Sequence, residues 1–243
     1  MLVAAAVCPC PPLLVPELAA GAAPELDAAR AACSEALGVL AAARPDRLLV
    51  VGPVDESVRG VYPEGARGSF RDFGVEVAVR LGRGGDPAPE REPSSQRELP
   101  PSLAVGAWLL ERAGWSDAPV EGLGVAESLP AERCADIGRD IGGRAGRVAL
   151  LVMGDGSACR SVKAPGYLDE RAAPFDAEVA RALGSADVAA LEALDAGLAR
   201  ELKAAGRAPW QVLAGAAEGT GLSGALLYED APYGVGYLVA AWS

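Results

Sequence analysis

Arg147-Val148-Ala149-Leu150-Leu151-Val152-Met153-Gly154-Asp155-Gly156-Ser157 is the stretch from which the fold is read. An apolar run of this length, delivered straight into glycines and a carboxylate, has the pattern of an interior strand covered on both faces. Such strands belong to sheets flanked by helices. Working outward toward the N terminus, Ala131 to Ile141 reads as a helix, Val120 to Val125 as a strand and Leu103 to Arg112 as a helix. Leu48 to Val51 reads as another strand, ending at Gly52-Pro53. Before it, Pro24 to Ala43 places Leu26, Ala29, Cys33, Leu37 and Leu40 at the three-and-four spacing of an amphipathic helix. Leu2 to Val7 is a buried strand stopped by Cys8-Pro9-Cys10-Pro11-Pro12, whose prolines forbid both ladder and helix. Strand, helix, strand in this order predicts a right-handed parallel unit.

Between these elements, Val75, Val77, Val79 and Leu81 alternate with Glu76 and Arg80, the period of a half-buried strand. Gly82 to Pro101, rich in Gly, Pro and charge, predicts an exposed loop. Toward the C terminus, Asp176 to Leu183 and Asp187 to Lys203 read as two helices, each with Asp where a cap belongs. Pro209 to Ala217 is a third. Ala225 to Tyr228 and Val235 to Ala241 form a hairpin around Pro232-Tyr233-Gly234. The predicted fold class is α/β: a single-domain sandwich with a central mixed, partly parallel sheet flanked by helices on both faces.

The chain of 243 residues carries a net charge of -11, and Lys163 and Lys203 are its only lysines. That balance repels phosphate backbones and argues against nucleic acid as a partner. Met1 to Val7 is too short to cross a bilayer and lacks the basic start of a signal peptide, so a cytoplasmic protein without a membrane partner is expected. The cysteines, Cys8, Cys10, Cys33, Cys134 and Cys159, are odd in number and scattered, which predicts reduced thiols. There is no histidine. Ser-His-Asp, Cys-His and His-metal chemistry are thereby excluded.

Three segments carry a resemblance. Cys8-Pro9-Cys10-Pro11-Pro12-Leu13-Leu14-Val15-Pro16-Glu17 is similar to a strand followed by a Pro-His-Pro-Pro-Leu-Leu turn. Leu150 to Ala158 is similar to a strand ending in Gly-Asp-x-Ser-His. Leu227-Tyr228-Glu229-Asp230-Ala231-Pro232-Tyr233-Gly234-Val235-Gly236-Tyr237 is similar to a Tyr-Glu-x-Pro-Phe/Tyr-Gly-Val-Gly-Tyr strand pair. Together, in this order and spacing, they resemble the B-subunit family of class III extradiol ring-cleavage dioxygenases, to which the Memo-type proteins belong. The resemblance implies a site in which two histidines and a carboxylate hold Fe(II), a catechol-type diol and dioxygen take the open positions, and a further histidine moves protons. By position the ligands fall on Cys10, near Val54 and near Ala205, and the acid/base histidine falls on Ala158. Valine and alanine have no lone pair for a metal and no proton to move. What the resemblance implies is the family scaffold without ring cleavage and without a cofactor, retaining a pocket for a small ligand or a partner. The alternatives are an enzyme centred on a cysteine metal or nucleophile site, with Cys10 or Cys159 in that role, and a still-active dioxygenase-type oxidoreductase.

Several residues admit two readings. Cys8, Cys10, Asp155 and Cys159 form a thiolate and carboxylate set suited to Zn(II) or Cu(I), or else the cysteines are small hydrophobes at strand ends. Gly154 to Ser157 is an anion or ligand cradle, or a plain strand-to-loop turn; it is not a phosphate loop, since no G-x-x-x-x-G-K-[ST] occurs. Glu17, Asp55, Glu56, Asp155 and Ser157 line a vacated pocket, or the charges are solvated loop residues. Tyr228, Glu229, Tyr233 and Tyr237 face a ligand, or pack a hairpin. Trp108, Trp115, Trp210 and Trp242 read as core or interface residues. A homo-oligomer is the remaining partner expectation.

Overall fold

Four parallel strands form the middle of one seven-stranded sheet in a computed structural model that describes residues 1–83 and 97–243. In chain order the elements are β1 (Leu2–Cys8), α1 (Pro16–Ala19), α2 (Asp27–Ala42), β2 (Arg47–Val54), β3 (Gly60–Tyr62), β4 (Arg67–Ser69), β5 (Ala78–Arg80), α3 (Pro101–Arg112) and β6 (Val120–Ala126). They continue as α4 (Ala131–Gly142), β7 (Val148–Met153), α5 (Ala172–Gly184), α6 (Val188–Glu192), α7 (Ala196–Glu201), α8 (Arg207–Ala217), β8 (Gly224–Asp230) and β9 (Tyr237–Trp242). The sheet order is β3-β6-β2-β7-β1-β9-β8. β6, β2, β7 and β1 run parallel; β3 at one edge and the β8–β9 hairpin at the other pair antiparallel. This is the α/β sandwich with a mixed sheet that the hydrophobic pattern predicts.

β7 lies between β1 and β2 and is buried along its whole length. Because side chains alternate along a strand, Val148, Leu150 and Val152 pack with α4, α5 and α8, while Ala149, Leu151 and Met153 pack with α2 and α3. Both faces of the strand are therefore apolar. Every residue of α8 is buried. It crosses α4 at backbone contact: a Cβ on Gly138 would lie 2.1 Å from the carbonyl oxygen of Val212.

The structure departs from the sequence pattern in five places. β2 continues through Pro53, which pairs with Val125, because its ladder with β7 stops at Val51 and the missing N–H leaves no gap there. Burial does alternate from Val75 to Leu81, but only Ala78–Arg80 forms a ladder, with β4, in a separate two-stranded sheet. Of the expected Gly82 to Pro101 loop, residues 84–96 lie outside the described residues, and the end of it is exposed only in part, at Glu98 and Pro101. Leu99 is buried, its N–H donates to the Arg67 carbonyl at 2.7 Å, and the Arg97 guanidinium stands 4.2 Å from the Tyr62 ring centroid. The expected helix Asp187 to Lys203 is two helices. Asp195 caps α7 by accepting from the Leu198 N–H at 2.6 Å, and Gln211 donates to the carbonyls of Glu192 and Leu194, which the break sets free. Asp176 caps nothing; it lies inside α5 and is buried. Among the described residues no helix is long and apolar enough to cross a membrane.

Candidate functional site at the carboxyl ends of the parallel strands

The carboxyl ends of β1 and β7 form a closed structure. The Cys10 N–H donates to Asp155 Oδ1 at 2.8 Å. Burial pushes the Asp155 carboxyl up to about 7, against the opposing pull of the Cys10 hydrogen bonds and with the Glu127 charge adding to the rise. Burial first, then the charges of Asp155 and Glu127, raise the Cys10 thiol well above its ordinary value. Cys10 therefore stays protonated near neutral pH and is not a ready nucleophile. Burial, followed by the Asp155 charge, raises the Tyr237 hydroxyl as well.

The loop after β7 is tied down internally. The N–H of Gly154 donates to Cys8 O at 2.9 Å, that of Gly156 to Gly236 O at 2.7 Å and that of Ala158 to Leu202 O at 2.8 Å. Asp176 accepts the Ser157 N–H at 2.7 Å, the Ser157 hydroxyl at 2.8 Å and Arg160 Nη1 at 3.0 Å. A Cβ on Gly156 or Gly236 would sit 2.7 or 2.5 Å from the oxygens of that carboxylate, so small residues are required on both sides of it. With these amides engaged, Gly154 to Ser157 is built as a turn that locks the hairpin to the sheet, not as a cradle for an anion.

The cysteines do not gather. Cys8 packs beside Cys33 on the α2 face, and that contact and burial raise its thiol. Cys159 lies on the opposite face of the sheet, donating to Leu202 O at 3.4 Å. Of the set Cys8, Cys10, Asp155 and Cys159, the fold joins Cys10 to Asp155 alone. Among the described residues no three His, Cys, Asp or Glu side chains are arranged to hold a metal ion.

The ends of β2 and β6 are open. A cavity of about 320 Å³ lies between them and the start of α8. Val54, Asp55 and Glu56 line it from β2, Glu127 and Ser128 from β6, Arg200 from α7, and Ala205 and Arg207 from the entry to α8. Glu56 pairs with Arg59 at 2.7 Å. Burial and the Asp55 charge raise the Glu127 carboxyl, with Arg207 opposing. Arg207 is buried. Its Nη1 donates to Leu129 O at 2.6 Å and Gln211 Oε1 at 3.0 Å, and its Nη2 to the Glu127 carbonyl.

Of the four family positions, Val54 and Ala205 therefore stand in the cavity wall, Cys10 sits at the β1 end against Asp155, and Ala158 is buried under the Leu202 carbonyl. The residues present do not fit Fe(II). Of the three ligand positions, Val54 and Ala205 have no donor atom, and the third, Cys10, has Asp155 alone hydrogen-bonded beside it. Glu17 is exposed in the first turn of α1, away from the cavity lining. Tyr233 donates to Glu25 at 3.0 Å and ties the hairpin to its surroundings, while Tyr228 donates to Asp230 at 3.4 Å within β8. Trp115, Trp210 and Trp242 are buried, and Trp108 lies beneath Arg112, 5.6 Å from its guanidinium. Sequence reading missed Glu127, Asp176, Arg200 and Arg207. Arg207 and Asp176 did leave a signal, a lone charge on a helical face otherwise made of apolar residues.

No protein-family model and no curated protein matches this sequence. Among solved structures, the chain is similar to an uncharacterized protein, JW3007, from Escherichia coli K12, with a TM-score of 0.55 at 15% identity over 99% of each chain. A likeness at that identity carries over the fold, from one end of the chain to the other, and the fold alone.

Proposed function

We propose that this chain is an extradiol dioxygenase B-subunit-like protein that does not cleave rings and instead binds a small polar ligand at the old site. One observation carries the reading: the cavity at the carboxyl ends of β2 and β6 includes Val54 and Ala205, the positions of two family metal ligands, and neither side chain has a donor atom. Open α/β sheets bind ligands at this end of their strands, so the location is that of a working pocket. The protonated Cys10 thiol argues against the cysteine-centred alternative. In this proposal the protein works in the cytoplasm with its five buried cysteines reduced.

The test is direct. The purified protein, loaded anaerobically with Fe(II) and then given catechol and dioxygen, is expected to yield no ring-opened product and to release the iron on desalting. Stoichiometric iron retained with turnover of catechol overturns the proposal.

A further inference from the structure

We infer that the cavity takes a small zwitterion, its ammonium against Asp55 and Glu127 and its acid group against Arg200, Arg207 and the amides of Ala205 and Ala208. This rests on the reading of the cavity as a ligand site. Charges of opposite sign line one cavity without meeting. Among the described residues, Asp55, Glu127, Arg200 and Arg207 form no ion pair, although Arg207 reaches the backbone carbonyl of Glu127. A space of about 320 Å³ lies among them.

The basic side is a built site. Arg207 is only 3% exposed, and its terminal nitrogens donate to neutral acceptors, namely Leu129 O, Gln211 Oε1 and Glu127 O. Its Nε–H has no acceptor among the described residues. The Glu127 charge compensates it in part, but no carboxylate forms an ion pair with it, which leaves it able to take an anion. The entry to α8 adds to this: the helix has no side-chain cap, and the N–H groups of Ala205 and Ala208, which both line the cavity, have no protein acceptor. A helix of eleven residues presents the positive end of its dipole there. On the acidic side, Asp55 and Glu127 follow the ends of neighbouring parallel strands; burial first and the Asp55 charge second raise the Glu127 carboxyl, and a cation would relieve both. A ligand of one sign would satisfy one wall and leave the other without a partner.

The experiment titrates the full chain with aminobutanoate, aminopentanoate and aminohexanoate bearing terminal amines, alongside the matching amines without the acid and acids without the amine, by calorimetry. The expected result is a zwitterion that binds roughly tenfold tighter than either singly charged counterpart. Asp55→Asn then weakens the zwitterion and the amine while sparing the acid, and Arg200→Gln weakens the zwitterion and the acid while sparing the amine. Both positions are solvent-exposed, and circular dichroism confirms that the variants fold. An amine or acid that binds as tightly as its zwitterion overturns the inference and leaves the ligand reading standing. No binding by any member also overturns it, and silence from a neutral aromatic panel as well takes the ligand reading down with it.

Discussion

The two halves of the sheet's carboxyl edge are built in opposite ways. At the β1 and β7 end, backbone amides, Cys10, Ser157, Arg160 and Asp176 all find protein partners, and glycines let the segments touch. At the β2 and β6 end, the same sheet leaves a cavity with unpaired charges on both walls. Saturated polar groups rigidify a fold, whereas unsatisfied ones wait for something to bind. The difference is why the proposed ligand is placed at one end and a structural role at the other.

The largest effect is expected at the closed end. Asp176→Ala removes the acceptor for three donors and strands the partly buried Arg160, so it should destabilise by about 3 kcal/mol in urea titrations. A loss below about 1 kcal/mol would mean the knot contributes little. Next comes Gly206→Ala, whose new Cβ would lie 2.2 Å from the Trp210 ring, and which should cost about 2 to 3 kcal/mol. One residue away, Ala205 faces the cavity, and Ala205→Val should change stability by no more than about 0.5 kcal/mol. Equal losses at these neighbouring positions would erase the contrast between the two ends.

Asp155 gives an intermediate effect with a defined pH window. Its folded carboxyl is raised to about 7 from 3.8, so the folded state holds a proton that the unfolded state has released between those values. Stability contributed by this group is complete below the lower value and is lost as pH rises through the upper one. Asp155→Asn should therefore gain about 1 to 2 kcal/mol over the parent at about pH 8 and show little difference at about pH 4, measured by denaturant titration at each. A gain that is the same at both would show that the carboxyl is not shifted.

The sheet was legible in the sequence because its strands are continuous apolar runs, Leu2 to Val7 and Val148 to Met153 above all, whose burial on two faces leaves no other reading. β3 was not, since three residues at an edge, Gly60–Tyr62, show no period. The break in Asp187 to Lys203 is a tertiary decision. Ala193, Leu194, Ala196 and Leu198 around it favour helix while Asp195 and Gly197 do not, and the Asp195 cap with Gln211 from α8 makes the interruption stable. At the site, motif reading drew attention to Gly154-Asp155-Gly156-Ser157, where glycines serve close packing. Of the cavity, Val54, Asp55, Glu56 and Ala205 were named from the sequence, while Glu127, Arg200 and Arg207 were not, being scattered charges that share no motif and join it only through the fold.

The central claim is that the open end binds and the closed end does not. An amide chemical-shift map of the protein titrated with aminopentanoate tests it most directly. The account predicts shifts at Asp55, Glu56, Glu127, Ser128 and Ala204 to Ala208, with Gly156 to Arg160 unmoved. Shifts centred on Cys10, Asp155 and Gly156 to Arg160 would contradict it.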